Sequence, residues 1–345
     1  MQNNTRHRFW FLIFFLLSLL LFFANLWFGS VLLGWKHVLS ALFHRPDAGN
    51  AALVIVNQYR LPQAVTALST GIVLSLSGLI LQTLFRNPLA GPSVLGISSG
   101  ASLGVALVVM SGSVFGLQLA QFQFLGNITI VMSAFLGALL VLALIIYVSG
   151  RVGNVITVLI IGIMVGYAVS AVVSVLQYFT SSDELHTYIL WGLGSFSKTT
   201  IQQSLFLLFT AIAGTFIALY FVKPLNALLA GTHYAQSIGF RTKRIQTFLI
   251  LVTGVLVAVG TAFTGPIAFL GLAVPHLARG FFKSSQHGVL IPATVLMGAS
   301  LALFCNLVAK LPGYDISLPI NSVTSLVGAP VIIWVVLRNR HLKTF

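Results

Sequence analysis

The chain has 345 residues, of which 58% are hydrophobic and only 6% are charged. Soluble proteins carry about 25% charged residues because their surface faces water, so this composition excludes an ordinary soluble domain and indicates a chain embedded in lipid. The net charge of +14 comes from 18 Lys and Arg against 4 Asp and Glu. These basic residues stand singly between long apolar runs, which is typical of membrane-protein loops and does not indicate a nucleic-acid surface.

The apolar runs predict an all-α polytopic membrane protein of about ten transmembrane helices in a single domain, residues 1–345. A bilayer core of about 30 Å needs roughly 20 apolar residues per helix, and these runs are too continuous for barrel strands. The predicted helices cover residues 9–28, 61–84, 94–116, 124–149, 155–180, 200–222, 246–263, 265–282, 289–311 and 318–338. The weakest boundary follows the seventh helix, where Thr264-Gly265-Pro266 forms either a sharp turn or a kink.

The distribution of charge predicts that both termini lie in the cytoplasm. With ten crossings and the N-terminus inside, the inner segments hold thirteen Lys and Arg and the outer segments hold five, as the positive-inside rule requires. All four acids fall in outer segments, so no carboxylate of the kind used by ion-coupled carriers lies within a predicted span. This favours energy supplied by a partner, although carbonyl and hydroxyl ion sites leave a secondary carrier open.

Small residues recur at about four-residue spacing in the second and third predicted helices. They are Gly71, Ser75 and Gly78 in one, and Gly96, Gly100 and Gly104 in the other. In lipid, such residues let helices approach closely. The pattern therefore predicts a compact helical bundle, without saying of which kind.

The sequence carries no recognisable enzyme motif. The phosphate-binding pattern G-x-x-x-x-G-K-[ST] is missing, and four acids leave little scope for paired-carboxylate catalysis. The single cysteine, Cys305, and the scattered histidines form no ligand pattern. We therefore predict no catalytic, cofactor or metal site. A membrane enzyme acting on lipid is an alternative, but it would require a polar cluster near an interface that the sequence does not display.

Three motifs in order carry a family resemblance. Residues 60–104 read RLPQAVTALSTGIVLSLSGLILQTLFRNPLAGPSVLGISSGASLG, residues 260–283 read GTAFTGPIAFLGLAVPHLARGFFK, and residues 318–334 read LPINSVTSLVGAPVIIW. Together they resemble the FecCD/BtuC-like permeases of type II ABC importers. The resemblance extends along nearly the whole chain from about Arg60, with no long gap.

The resemblance implies a transport subunit rather than an enzyme. Members of this family form homodimeric or pseudo-dimeric pores with ten helices per half, in the bacterial cytoplasmic membrane. Two separate ATPase subunits power them, and a periplasmic or lipid-anchored binding protein delivers ferric siderophores, haem or cobalamin. Family frequency ranks an iron chelate, including haem, above cobalamin as the cargo.

Arg60, Gln63 and Lys310 are the implied docking positions at outer helix ends. In the family, basic residues at these positions receive glutamates of the binding protein. Lys310 stands where the family often has Arg, and Gln63 replaces a second Arg of the RLP motif, which leaves fewer cationic contacts. The alternative for Arg60 and Lys310 is an ordinary interface anchor whose charged end reaches water.

The sequence NPLAGP at residues 87–92 interrupts the apolar pattern between two predicted helices. Its two prolines cannot continue a regular helix. The resemblance implies a structured turn, including Asn87, near the inner end of the translocation pathway, whereas the residues alone leave a simple tight turn open. Gln82, Ser98 and Ser99 are candidates for lining that pathway, and they suit hydrogen bonds between helices equally well.

The start of the fifth predicted helix is the implied inner gate. The candidate residues are Asn154, Val155, Ile156 and Thr157. Val155 and Ile156 take places where the family often has small hydroxylic residues, so this gate would be more apolar than usual and would close by dewetting. The residues alone predict a helix start with Asn154 as N-cap, and the two interpretations are compatible.

The longest predicted cytoplasmic connection, residues 223–245, is the implied contact with the ATPase. The family has a Gly-Glu-x-Ala-x-x-Leu-Gly pattern here, in short helices that fit a groove of the ATPase. The positions assigned to it are Leu229, Gly231, Thr232, Ala235, Ile238 and Gly239, with Thr232 in place of the acid. His276 and Arg279, one helical turn apart, are expected near the ATPase as well. The alternative is a basic loop that contacts lipid headgroups.

Overall fold

A computed structural model of the chain describes residues 2–31, 33–43, 49–111, 113, 126–152, 155–311 and 317–338. Every regular element in these ranges is helical. The α-helices are α1 (Gln2–Trp27), α2 (Trp35–Leu42), α3 (Asn50–Val54), α4 (Leu61–Leu84), α5 (Ile97–Val109), α6 (Gly126–Arg151), α7 (Val155–Tyr178), α8 (Ser182–Gly192), α9 (Ile201–Tyr220), α10 (Val222–Ala230), α11 (Thr232–Ser237), α12 (Thr242–Thr264), α13 (Leu270–Phe282), α14 (His287–Ala309) and α15 (Ile320–Arg338). A π-helical segment, Ile55–Arg60, joins α3 to α4, and a 3-10 segment, Pro92–Leu95, precedes α5.

Each of the ten predicted segments contains a helix, and the all-helical membrane class is confirmed. Within the described ranges, seven helical stretches are long and apolar enough to cross a membrane. They are Thr5–Trp27, Asn50–Leu84, Ile128–Arg151, Ile156–Tyr178, Ile201–Tyr220, Thr242–Thr264 and His287–Ala309. Helices α5, α13 and α15 are shorter than a full span or broken by proline, so ten crossings stay a prediction.

The helical stretch that contains α4 begins earlier than the sequence predicted. Its helical residues run without interruption from Asn50, not from residue 61. The polar residues before Leu61 are typical of a loop, but in the structure they form hydrogen bonds with neighbouring helices. The Asn57 amide donates to the Ala41 carbonyl over 3.0 Å, and Arg60 bonds to the end of α1. Because these polar groups have partners, the helix continues through them.

The chain divides into two compact units. The first contains Met1–Leu76, Ser195–Tyr220 and Ile267–Phe345. Within it, α14 packs against α1, α13 and α15. Gly71 lies directly against the Gly298 carbonyl of α14, so the small residues of α4 permit a close helix crossing there, as predicted.

The second unit contains Ser77–Gly194 and Phe221–Pro266. Helix α5 packs against α6 and α7, and α12 packs against α6. A Cβ atom built on Gly100 would lie 2.5 Å from the Gly137 carbonyl oxygen, and one on Gly104 would overlap the backbone of Ser133. The glycine spacing therefore positions α5, and with it the serines that α5 carries.

The two breaks predicted by Pro and Gly are real. After α4, Arg86 takes a positive φ of 47°, and the Asn87 side-chain oxygen accepts a bond from the Leu89 amide over 2.9 Å. The predicted turn is thus an ordered one. Helix α12 ends at Thr264, and Gly265 has a φ of 75°. A Cβ there would lie 2.5 Å from the Trp191 carbonyl, so the sequence at 264–266 separates two helices and does not merely kink one.

Candidate functional site

The three predicted docking residues line one cavity in the first unit, of about 340 Å³. We call it the α1-end cavity, because Gly29, Ser30 and Val31, which follow α1, form part of its wall. Its polar lining consists of Ser30, Tyr59, Arg60, Gln63, Ser197, Lys310 and Ser317. The sequence thus identified its two cations and its amide, although they lie far apart along the chain.

Arg60 holds the C-terminal end of α1. Its side chain is only 5% exposed, and its guanidinium donates to the carbonyl oxygens of Leu26 over 3.0 Å and of Trp27 over 2.7 Å. A third bond goes to the Val31 carbonyl. The last carbonyls of a helix have no partner within it and carry partial negative charge, so a cation is stabilised there. Gly29 leaves space for the guanidinium, since a Cβ at position 29 would lie 2.9 Å from it.

Lys310 is the second cation of the α1-end cavity and comes directly after the α14 span. Its ammonium donates to the Asn25 carbonyl over 2.8 Å. Burial, and then the positive charge of Arg60, lower the pKa of Lys310 to about 7. No acid belongs to the described lining of this cavity, so an incoming anion would stabilise both charges.

Gln63 belongs to a buried series of side-chain amides, which we call the amide chain (Gln63, Asn306 and Asn25). Gln63 donates to Asn306 over 3.1 Å, and Asn306 donates to Asn25 over 2.7 Å. Asn25 in turn donates to the carbonyls of Leu21 and Leu303 over 2.8 and 2.9 Å. Gln63 is therefore more than a missing charge, because it ties α4 to α14 and α1. Sequence reasoning missed Asn25 and Asn306; a lone Asn inside an apolar run was their only signal.

Two adjoining cavities in the second unit, which we call the hydroxyl cavities, bring together predicted and unpredicted residues. The first, of about 280 Å³, is lined by Ser98, Ser99, Ser102, Ser170, Ser174 and Tyr188, with Val169, Val173 and Pro266. The second, of about 290 Å³, shares Ser99 and Ser170 with it and adds Ser93 and Tyr167. Ser98 and Ser99 were predicted from the sequence, whereas the serines of α7 and Tyr188 of α8 were not.

The hydrogen bonds of these hydroxyls are unequal. Ser102 and Ser174 donate to carbonyls of their own helices over 3.1 and 3.0 Å, and Ser98 lies 3.5 Å from the Thr261 hydroxyl. Burial raises the pKa of Tyr188 above its ordinary range, and a hydrogen bond with Ser102 lowers it by less, so the phenol is neutral. The Ser99 and Ser170 hydroxyls have no hydrogen-bond partner among the described residues.

The other residues predicted for the pathway and gate are spread over α4, the turn after it, and α7. Gln82 is buried near the end of α4, and Asn87 holds the turn. Asn154 lies outside the described residues, and Val155 begins α7. Ile156 is 57% exposed and Thr157 is half-buried. The structure does not bring Gln82 and Asn87 into the hydroxyl cavities.

The predicted coupling segment forms two short helices, α10 and α11, joined at Gly231. Gly231 has a φ of 136° and Gly239 one of 92°, conformations that other residues rarely adopt. Ala235 is fully buried, whereas Tyr234 and Ile238 are 54% and 51% exposed. Leu229 and Thr232 are half-buried. The segment thus presents apolar side chains outward from a fixed backbone.

His276 and Arg279 lie on α13 in the first unit and are both half-buried. Both have interaction partners, and their position near the ATPase stays a prediction. Within the described part of the chain, no three or more His, Cys, Asp and Glu side chains come together as metal ligands.

Comparison with known proteins gives the family. The model of the FecCD transport family matches residues 16–338. The vitamin B12 import system permease protein BtuC of Klebsiella pneumoniae is 35% identical over 283 residues, 82% of each chain. The hemin transport system permease protein HmuU of Yersinia pestis is 34% identical over 291 residues, 83% of this chain and 84% of the relative.

Solved structures agree with the sequence matches. A metal-chelate type ABC transporter in an inward-facing conformation gives a TM-score of 0.82 at 29% identity, over 95% of this chain and 98% of that one. PsaBC from Streptococcus pneumoniae, at 16% identity and a TM-score of 0.54, shows likeness of fold alone. The resemblance carried by the three motifs is therefore confirmed: the chain belongs to the FecCD transport family and is a permease subunit of an ABC importer of the FecCD/BtuC type.

Proposed function

We propose that this permease imports an iron chelate, a ferric siderophore or haem, across the bacterial cytoplasmic membrane. It would act as one ten-helix half of a homodimer, with both termini in the cytoplasm. Two ATPase subunits and a periplasmic or lipid-anchored binding protein complete the machine. The cargo assignment is supported by the solved metal-chelate transporter and by the Yersinia relative named for hemin transport.

The observation that carries the importer proposal is the pair of cations in the α1-end cavity. Arg60 and Lys310 both reach it, and burial followed by the charge of Arg60 lowers the pKa of Lys310. Two like charges close together are costly unless an anion joins them. A carboxylate of the binding protein would supply that anion, so this cavity is the proposed docking site on the outer face.

We also propose that the translocation pathway and the second copy of the dimer lie beside the exposed side of helix α7. Ser170 and Ser174 are exposed on a helix long enough to span the membrane. Exposed hydroxyls suit a pathway or a protein contact better than lipid. Ile156 and Thr157, at the start of the same helix, together with Asn154 and Val155, are the proposed inner gate.

Helices α10 and α11 are the proposed coupling contact with the ATPase. The exposed Tyr234 and Ile238 would fill a groove of the partner. In Gly231→Leu the backbone cannot keep its φ of 136°, so we expect ATP hydrolysis to continue while uptake falls. Gly192→Leu is the matched control, because a Cβ atom added at Gly192 meets nothing within 4 Å. Equal ratios of ATP hydrolysed to cargo imported in both variants would contradict the coupling assignment.

Cobalamin is the second candidate cargo, favoured by the 35% identity to the Klebsiella vitamin B12 permease. The proposal is tested by reconstituting the permease with its ATPases and binding protein in proteoliposomes. Iron-labelled siderophores, hemin and cyanocobalamin are then offered separately, with and without ATP. We expect ATP-dependent uptake of an iron chelate. Uptake of cyanocobalamin alone would select the alternative, and uptake driven by an ion gradient without ATP would refute the importer.

A further inference from the structure

The hydroxyl cavities contain hydrogen-bonding groups but no charged group. Among the described residues that line them, none is Lys, Arg, His, Asp or Glu. This contrasts with a chain whose net charge is +14. An ion that enters such a cavity leaves water and meets no opposite charge, which is costly, whereas a neutral polar group loses only hydrogen bonds that hydroxyls can replace.

Four of the six serines come from two helices in matched pairs. Ser98 and Ser102 are one turn apart on α5, and Ser170 and Ser174 are one turn apart on α7, so each pair occupies one face of its helix. Four hydroxyls of the cavities have no partner among the described residues, those of Ser93, Ser99, Tyr167 and Ser170, and of these only Ser99 and Ser170 line both cavities. Where the cavities meet, each of the two helices therefore offers one hydroxyl with unused hydrogen-bonding capacity.

We propose that Ser99 and Ser170 form a cargo-contact site for an uncharged chelate whose rim carries carbonyl, N–H or O–H groups, and that Ser98, Ser102, Ser174 and Tyr188 line it. This rests on the proposed function and narrows it to one class of iron chelate. In a ferric tris-hydroxamate the charges of the ligands cancel that of the iron. A ferric tris-catecholate keeps net negative charge, and haem carries carboxylates, so both suit the site less well.

The hydroxyls of Ser102 and Ser174 also suit the rim of a hydroxamate chelate. Because Ser102 and Ser174 already donate to backbone carbonyls, they can only accept further hydrogen bonds, whereas Ser99 and Ser170 can donate as well. A hydroxamate rim with backbone-like amides offers both acceptors and donors. The site also has an apolar wall, formed by Val169, Val173 and Pro266. This wall limits the number of hydrogen bonds that must break when the cargo leaves the site.

The test uses the reconstituted importer with its binding protein and ATPases, and four probes: ferric tris-hydroxamate, ferric tris-catecholate, hemin and cyanocobalamin. The variant is the double substitution Ser99→Ala and Ser170→Ala, which removes both hydroxyls and little volume. Ser133→Ala is the matched control, because that serine lies in the same unit, bonds to its own helix at Ile130 over 2.9 Å and lines neither cavity. Ser170→Thr, which keeps a hydroxyl, is the rescue variant. ATP hydrolysis stimulated by the binding protein reports correct assembly.

We expect the wild-type importer to take up the tris-hydroxamate faster than the two charged chelates. The double variant should lose about tenfold in that uptake, the effect of two lost hydrogen bonds, while its stimulated ATP hydrolysis and the control are unchanged. Equal tris-hydroxamate uptake in the double variant and the wild type would overturn the site and leave the importer intact. Preference for tris-catecholate or hemin would overturn the charge class. Uptake of none of the iron probes would instead remove the proposed cargo, and this inference with it.

Discussion

The α1-end cavity and the hydroxyl cavities are similar in size, at about 340 Å³ against 280 and 290 Å³, yet their chemistry is opposite. The former holds two cations that are bonded to backbone carbonyls. The latter hold hydroxyls, four of which have no partner among the described residues. Charged groups give specificity and speed to protein docking, whereas neutral hydroxyls allow a cargo to bind weakly and leave. The proposed docking contact and the proposed cargo contact therefore lie in separate units of the chain.

The largest expected effect comes from disturbing the packing that positions α5. In Gly104→Leu the new side chain would meet Ser133, whose carbonyl carbon lies 2.8 Å from a Cβ built at Gly104. Overpacking of this kind costs about 1–3 kcal/mol or more, so we expect a large drop in thermal stability and little folded protein. Gly150→Leu is the control, since nothing lies within 4 Å of an added Cβ there. Similar melting temperatures for the two variants would show that α5 is not held by this crossing.

The second-largest effect is expected at the α1-end cavity, where a substitution should lower the thermal stability of the protein, unlike one in the hydroxyl cavities. Arg60→Ala leaves carbonyls at the end of α1 without their partner, and a hydrogen bond to a charged group contributes about 1.5–3 kcal/mol. We expect lower thermal stability together with weaker capture of the binding protein. Ser170→Ala should leave both unchanged. If Arg60→Ala loses capture but melts like the wild type, its bonds to α1 contribute little and its role is docking alone.

A third effect concerns pH and should appear only at the α1-end cavity. The pKa of Lys310 lies at about 7, below its ordinary value, because of burial and Arg60. The ammonium form, which attracts a carboxylate, is therefore present below pH 7 and is lost as the pH rises through that value. Affinity for the binding protein should fall across this range in the wild type and much less in Lys310→Arg, which stays charged. Identical pH profiles for the two proteins would rule out Lys310 as the titrating group.

The smallest effect is expected from Gln63→Arg. Restoring the family's second Arg adds a cation to the α1-end cavity but removes the bond from Gln63 to Asn306. One hydrogen bond contributes about 0.5–1.5 kcal/mol, so stability should fall slightly while capture is kept or gains. Asn306→Ala isolates the amide chain without adding charge. A Gln63→Arg protein with wild-type stability would mean that the amide chain reforms around the new side chain.

The sequence predicted the long helices well because each is a long apolar run, whereas the short helices Trp35–Leu42 and Ser182–Gly192 were not predicted. Prolines and glycines after Arg86 and at Gly265 located two breaks correctly. The helical start at Asn50 was missed because the polar residues Asn57 and Arg60 resemble a loop until their partners on other helices are known. Local signals cannot supply such partners.

The two cavities were predictable to different degrees for the same reason. Arg60 opens one of the three motifs, and Lys310 directly follows a long apolar run, so both charges are conspicuous in the sequence. The amide chain and the serines of α7 depend on which helix faces meet, which the sequence of one helix does not reveal. Ser170 in an apolar run reads as a packing residue until α5 places Ser99 beside the same cavity.

The bond between Arg60 and the end of α1 has a consequence for biosynthesis. The guanidinium is 34 residues beyond Leu26 and 33 beyond Trp27, so α1 is complete long before its cap is made. A nascent chain therefore inserts its first helix with an open end, which the second hydrophobic stretch closes later. Ribosome-bound chains stalled before and after Arg60 should differ in the protease sensitivity of the segment following Trp27, and equal sensitivity would contradict this order of events.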